Sequence, residues 1–414
     1  MNFLRVVMTR TLTMALFSST LVFCFEGTAF AEGFALSDWG ARGSAMAGGM
    51  VGRADDPSAV AHNPAGITQL PGTQAMGGLT MIAPMGKITT IAGGVENTTK
   101  ADQHYWLNPH AYLTHQLSDD LWLGVGGFSR FGLGDSFPHG WPGSANLVEV
   151  KLKTVSLNPS LAWKLNDHLS LAFGVEVMGG AAVIRKGFAT PFGYNGQKLS
   201  GQGVSAGFNL AAHYRFNEQW AMGLTYRSPV NLKIRGDNRW DKQLVSPMLN
   251  CDVSAILHLP DSISFGVTWK PVPAFSIEAG TVYTIWSRYK HLNIEMESPV
   301  NRAAFADKHW KDTWNFNVGM EYKPLDWLSL RAGYSYETSP MNDSTTDYMT
   351  PTDGRHRFTS GLGFRWDRWA LDLSYAYIRV NRLDYTARPA SYMLDGAAHG
   401  VHSHVAAMSV GYTF

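Results

Sequence analysis

The last eleven residues, His404 to Phe414 (HVAAMSVGYTF), put Ala406, Met408, Val410, Tyr412 and Phe414 on one face of an extended chain. Val405, Ala407, Ser409, Gly411 and Thr413 fall on the other. The same period of two recurs elsewhere. Leu371, Leu373, Tyr375 and Tyr377 alternate with Asp372, Ser374, Ala376 and Ile378. Trp314, Phe316, Val318, Met320 and Tyr322 alternate with Asn315, Asn317, Gly319 and Glu321. Leu169, Leu171, Phe173, Val175 and Val177 alternate with Ser170, Ala172, Gly174, Glu176 and Met178. Sustained period two is the signal of a strand with two unlike faces. About ten residues is also the length a tilted strand needs to cross a bilayer. The second face decides between a soluble sandwich or propeller and a membrane barrel. It carries Gly, Ser, Ala and a few charges, while the first is bulky, apolar and aromatic towards its ends. That suits lipid outside and a crowded lumen inside.

Turn signals set the strand number. Short polar or proline turns occur at Ser118–Asp120, Asn166–His168, Asn217–Gln219, Pro271–Pro273, Pro324–Asp326 and Asp367–Arg368. Longer polar stretches lie at roughly 84–103, 133–147, 187–201, 236–252, 288–311, 339–354 and 384–401. Six turns and seven loops separate fourteen strands, an even number with the short/long asymmetry of periplasmic turns and extracellular loops. Trp122, Trp163, Trp220, Trp269, Trp327, Trp366 and Trp369 all neighbour short turns and read as the periplasmic aromatic girdle. The expected fold is an all-β, fourteen-stranded antiparallel transmembrane barrel spanning 72–414.

The N-terminus explains how such a chain reaches a membrane. Arg5 and Arg10, an apolar run from Thr11 to Phe25 and Ala29-Phe30-Ala31 form a secretory signal peptide over residues 1–31. Cys24 follows the bulky Phe23, which disfavours a lipoprotein. The mature chain then keeps only Cys251, and one thiol forms no internal disulfide. After the leader no apolar run reaches the ~18 residues of a spanning helix. Mean hydropathy is −0.12 although 12% of residues are aromatic, as expected where apolar and polar residues alternate. A net charge of +1 gives no reason to expect nucleic acid as a partner.

Residues 32–71 do not alternate. They are rich in small residues (Gly40, Gly43, Ser44, Ala45, Ala47, Gly48, Gly49) and include ADDPSAVAHNPAGI, Ala54 to Ile67. Fourteen strands enclose more space than their own side chains fill. The expectation is a hatch that folds back into the lumen, anchored by Phe34, Leu36, Trp39, Met46 and Ile67. An export linker would have no use for such anchors.

At these residues the chain resembles the outer-membrane long-chain fatty acid transporters of the FadL and TodX type. The resemblance covers the mature chain. It is most specific at GFALSDWGARGSAMAGG and ADDPSAVAHNPAGI, where Asp55, Asp56, Asn63, Pro64 and Ala65 stand in the family's places. AILHLPD (Ala255–Asp261) matches a second family motif. PTDGRHRFTSGLG (Pro351–Gly363) matches a third through Pro351, Arg355, His356, Gly361 and Gly363. Thr352 and Gly354 stand where the family usually has acids.

The resemblance implies passive uptake of hydrophobic compounds, long-chain fatty acids foremost, across the outer membrane of a Gram-negative bacterium. Ligand would bind in the lumen and leave sideways at a kinked third strand. In LWLGVGGFSRFGL, Gly124, Gly126 and Gly127 can interrupt pairing or simply pack against the hatch. Phe131, Leu133, Phe137, Trp141 and Pro142 form an apolar loop suited to an outer groove. Arg185 and Lys186, before Phe188, are candidates for a ligand carboxylate, with Arg130, Arg331, Arg355 and Arg357 as further cations. A lumenal arginine can equally pair with Glu176, Glu278 or Glu321, and basic residues at the outer rim can meet lipopolysaccharide phosphates. Scattered histidines, with His402 and His404 as a lone i, i+2 pair, support neither a metal site nor an enzyme. No cofactor is expected. The alternatives are a channel for aromatic or alkane hydrocarbons and a general porin or structural barrel. A closed barrel has no edge that demands a partner, so a monomer is expected.

Overall fold

In the computed structural model, which describes residues 33–245, 248–350 and 353–414, the alternating stretches form one antiparallel meander. Its strands are β1 (Thr73–Ala92), β2 (Val95–Lys100 and Trp106–Gln116), β3 (Leu121–Phe128 and Gly132–Ser136), β4 (Glu149–Lys164) and β5 (Leu169–Thr190). Next come β6 (Gly193–Arg215), β7 (Trp220–Arg227 and Val230–Trp240), β8 (Cys251–Leu259 and Ser262–Val272) and β9 (Phe275–Thr284). The last five are β10 (Thr313–Leu325), β11 (Leu328–Glu337), β12 (Arg355–Trp366), β13 (Trp369–Val380) and β14 (Asp395–Thr413). β14 pairs with β1 from Gln74↔Thr413 to Ile91↔Asp395 and closes a fourteen-stranded barrel. Closure leaves neither the first nor the last strand as a free edge.

The faces follow the alternation. On β5, Leu171, Phe173, Val175 and Val177 are exposed, whereas Ala172, Glu176 and Met178 are buried. The outward set is a continuous apolar band, which water would penalise and lipid accommodates. Trp163, Trp220, Trp269, Trp327, Trp366 and Trp369 are exposed beside the short turns, as a girdle requires. Trp122 is a correction. It is buried, and its Nε1 donates to the Leu70 carbonyl at 2.8 Å. It shares the inward face of β3 with Gly124 and Gly126, so it ties down the end of the N-terminal segment.

Several expected loops contain more strand than their composition suggested. The 187–201 stretch is mainly a hairpin extension of β5 and β6, with Gly193 at φ +94° in its turn. The 84–103 stretch continues β1 and β2 around Gly93-Gly94, both at positive φ, the backbone a tight hairpin turn demands. Between β9 and β10 a further hairpin pairs His291–Met296 with Arg302–Asp307. Polar residues had concealed these extensions because they stand in water above the apolar band.

Candidate functional site

The segment ahead of β1 lies inside the ring of strands. It holds two short helices, α1 (Ala41–Ala45) and α2 (Ala59–His62), and a 3-10 turn, Pro64–Gln69. Asn63 is the joint. Its backbone is extended, its Oδ1 accepts from the Ala65 N–H at 3.1 Å, and Pro64 begins the turn. Its Nδ2 donates to the carbonyls of Val51 (2.8 Å) and Ala212 (3.0 Å), linking the segment to itself and to β6. Arg227 donates to the Val60 and Ala61 carbonyls at 3.0 and 2.6 Å, satisfying orphan acceptors of α2. At Gly223 the wall comes so close that a Cβ would stand 2.0 Å from the Val51 oxygen. Here only glycine fits.

Charge fastens the other side. Arg42 reaches Asp55 (2.8 Å), Asp56 (3.2 Å) and, on β10, Glu321 (3.1 Å). Glu321 also receives Arg53 (3.4 Å) and Arg331 (2.7 Å). Glu278 on β9 accepts from the backbone N–H groups of Val51, Gly52 and Arg53 at 2.7, 3.1 and 2.8 Å. Asp38 pairs with Arg357 on β12. Burial alone would raise the Asp55 carboxyl, but Arg42 and Lys270 hold it well below the usual range. The Asp55–Asp56 pair is thus a clamp on Arg42.

The third strand is interrupted after Phe128. Gly124, Gly126 and Gly127 lie within regular pairing to β2, opposite Thr114, Tyr112 and Ala111. A Cβ on Gly124 or Gly126 would meet Val60, so these two glycines accommodate α2. The break itself is Ser129-Arg130-Phe131, and the N-terminal segment completes it. Leu36 N donates to Arg130 O at 2.7 Å, and Gly132 N donates to Phe34 O at 2.8 Å. Beyond the break β3 pairs with β4, and Trp106–His110 of β2 pairs with β1 but not with β3. Arg130 binds Glu176 at 2.7 Å and points towards the carbonyls of Ser228 (3.4 Å) and Pro260 (3.5 Å). Those carbonyls flank the interruptions of β7 and β8, where Pro229 and Pro260 supply no N–H.

Phe34 also faces upward into an apolar cavity of about 90 Å³. Leu133, Val150, Leu152, Ile184, Ile234, Leu257, Tyr289 and Met349 line it. The Phe34 ring packs against Trp286 (4.7 Å between centroids), Trp310 (5.5 Å), Tyr289 (5.7 Å) and Phe131 (6.2 Å). Behind the lining Met349, Lys308 is buried, pairs with Asp347 and lies 3.8 Å from the Met349 sulfur. Burial works against the Lys308 charge, but Asp347 more than offsets it and raises the ammonium above its ordinary range.

A closed fourteen-stranded wall, an N-terminal segment tied into it and an apolar cavity above that segment coincide with one family model. Outer membrane protein transport protein (OMPP1/FadL/TodX) matches residues 22–414. The chain belongs to this family. A long-chain fatty acid transport protein of Escherichia coli (strain K12) is 24% identical over 421 residues, covering 89% of this chain and 93% of the relative. Outer membrane protein P1 of Haemophilus influenzae is 23% identical, covering 89% and 90%. A crystal structure of a Pseudomonas aeruginosa FadL homologue superposes with a TM-score of 0.83 at 21% identity, covering 92% of this chain and 99% of that one. The toluene transporter TodX of P. putida gives 0.75 at 18%, covering 92% and 99%.

Within this FadL/TodX-family barrel the expected site residues separate into groups. Asp55, Asp56, Asn63, Pro64 and Ala65 all contribute to the fastening of the lumenal segment. Leu133 lines the cavity, and Phe131 backs Phe34. Phe137 and Trp141 do not form an open groove. They are buried, stacked at 4.5 Å, with Trp141 against Tyr348 at 5.0 Å and its Nε1 on the Leu147 carbonyl. Arg185 points outward and pairs with Glu149 at 2.8 Å, away from the cavity. Phe188 packs on Trp240 and Tyr392. Lys186 lies in the field of Asp347 and Lys308. Arg130, Arg331, Arg355 and Arg357 all have acidic partners. Pro351 and Thr352 fall outside the described residues, as does the expected leader. Gly203–Gly207 spells G-x-S-x-G, but it runs along β6 in regular pairing with β5 and lacks the strand-to-helix turn of a nucleophile elbow. Sequence reasoning missed Phe34 as a cavity residue and Lys308 behind the lining Met349. Lys308 sits in a polar loop, and its partner lies 39 residues away.

Proposed function

We propose that this chain takes up hydrophobic compounds, long-chain fatty acids foremost, by binding them in the cavity above Phe34 and releasing them sideways at the interrupted β3. The observation that carries this reading is the double duty of one tripeptide. Phe34 lines the cavity, and the backbone of Phe34–Leu36 completes the break in β3. A ligand that displaces Phe34 would therefore loosen the break. Residues 32–71 act as the hatch, 72–414 as the barrel and 1–31 as the export leader. Asn63-Pro64-Ala65 holds the hatch in register while its N-terminal end moves. Burial of an acyl chain supplies roughly 0.8 kcal/mol per CH₂. Relatives named for long-chain fatty acid transport point to a carboxylate ligand. Lys308, behind the lining Met349, is its candidate partner, with the ligand headgroup taking the place of Asp347. Relatives named for toluene transport support the alternative of neutral hydrocarbons.

The test is displacement of a fluorescent fatty acid from the purified, detergent-solubilised protein by oleate, toluene and decane. Oleate competition weakened by Lys308→Met supports fatty acids. Displacement by hydrocarbons alone transfers the reading to neutral ligands. Absence of probe binding together with steady ion conductance in a planar bilayer returns the barrel to a porin.

Lipopolysaccharide is the proposed lipid contact. Arg379 stands ten residues from the girdle residue Trp369 on β13, about 25 Å along the membrane normal for a tilted strand. With Lys87 and Lys100, which face each other across β1 and β2, it forms an outward basic patch with no acidic partner among the described residues. Loss of co-purifying phosphorylated glycolipid in Lys87→Glu/Arg379→Glu is the expected outcome, and unchanged lipid content would remove this contact.

A further inference from the structure

β8 is sealed on one side and open on the other. It pairs with β7 from Val230↔Leu259 to Asn238↔Cys251. Towards β9, pairing stops at Ser262↔Thr284 and resumes at Ala255↔Ile294, on the hairpin that follows β9. Ile256 to Pro260 therefore have no strand partner on that side, while Asp261 accepts from the Ile285 N–H at 3.0 Å and pairs with Arg288 at 2.5 Å. The chain opposite them is occupied by the 3-10 turn Trp286–Arg288.

A groove of about 320 Å³ lies outside this seam. Lys233, Arg235, His258 and His291 line it together with the acidic Glu295. Neither Lys233 nor Arg235 has an acidic partner within ion-pair distance among the described residues. Ile256, exposed, gives the groove an apolar floor. Ile234, Ser254 and Ala255 border both this groove and the lumenal cavity, so the two spaces are separated by the thickness of one strand. His258 stands eleven residues from the girdle residue Trp269 on β8, about 28 Å along the membrane normal. The hydrocarbon band is ~25 Å tall, so the seam opens at the level of the outer headgroups.

We propose that the β8–β9 seam is a lateral port through which anionic amphiphiles of the outer leaflet, carboxylates with a long acyl chain, reach the cavity. Lys233 and Arg235 draw the headgroup to the groove, and the unpaired stretch Ile256–Pro260 lets the chain pass between β8 and the segment that joins β9 to the hairpin. This rests on the transport reading and adds a route to it. The port lies far around the wall from the β2–β3 interruption, so admission and release occur on different sides of Phe34.

The experiment is stopped-flow association of a fluorescent fatty acid with the full-length protein. One variant is Lys233→Glu/Arg235→Glu. A second is Ile256→Cys in a Cys251→Ser background, measured before and after attachment of a bulky maleimide. The same label on Phe358→Cys, exposed on the outer face of β12 and four strands from β8, is the control. Charge reversal should slow association several-fold at low salt and much less at high salt, because steering by charge is screened. The label at Ile256 should slow association while equilibrium affinity and the unlabelled variant stay normal. Association unchanged by both modifications overturns the port while leaving transport intact. A wild-type protein that binds no probe overturns the transport reading and the port with it.

Discussion

The Leu36 amide donates to the Arg130 carbonyl at 2.7 Å, joining the lumenal segment to the broken third strand at the point where β3 leaves its pairing with β2. Leu36→Pro deletes this donor without touching the barrel's own ladders. Amide exchange in 129–132 should accelerate, and ion leak across planar bilayers should rise. Wild-type exchange at these amides would show that the bond does not hold the break.

Arg42 is the cation shared by Asp55, Asp56 and Glu321. Arg42→Met takes one partner from the buried Glu321, which keeps Arg53 and Arg331, and from the part-exposed Asp55 and Asp56. The loss should be smaller than about 3–5 kcal/mol, the cost of a buried charge left with no partner. The lumenal segment should become protease-sensitive while the barrel keeps its heat-modifiable migration in detergent gels. Equal protease resistance in variant and wild type would place the fastening elsewhere.

Lys308→Met removes a buried positive charge beside the lining Met349 and keeps the side-chain length. Oleate affinity should fall about tenfold, equivalent to ~1.4 kcal/mol, while decane affinity is unchanged. Isothermal titration of both ligands checks the contrast, and parallel losses would indicate a packing defect instead.

His62 is buried against Trp39, with ring centroids 5.2 Å apart. Burial lowers its pKa to about 4, helped by Arg227 and His110 and opposed by Asp56 and Asp38. A histidine depressed in the folded state is protonated first in the unfolded chain, near pH 6.5. Stability of the segment should therefore be full above that pH and fall between about 6.5 and about 4. Asp55, depressed by Arg42, adds a further loss at lower pH still. Denaturant melts of His62→Gln should lack the upper limb, and an unchanged limb would assign it to another group.

Gly223 permits the 2.0 Å approach noted above for a would-be Cβ and the Val51 oxygen. Gly223→Val should push the segment off β7 and lower its stability by more than ~1 kcal/mol, a size typical of overpacking. Tryptophan fluorescence of Trp39 reports the displacement, and a native spectrum would show that the wall yields instead.

What this sequence determined by itself is what short-range geometry encodes. A strand's two faces are written every second residue, so β5, β10, β13 and β14, the strand number and the inward polar set could be read without a partner strand. Even the Trp122 error was local, since its parity with Gly124 and Gly126 marks it as inward. The tertiary structure alone decided the rest. Phe137 and Trp141 fold inward because Tyr348, some two hundred residues on, offers them a stacking surface. Arg130 gathers Glu176, Ser228 and Pro260 from three other strands, and Lys308 finds Asp347 in the next loop but one. The break at Ser129–Phe131 becomes a site only because Phe34–Leu36 returns from the N-terminus to fill it. Such contacts join residues distant along the chain, and barrel closure brings them together.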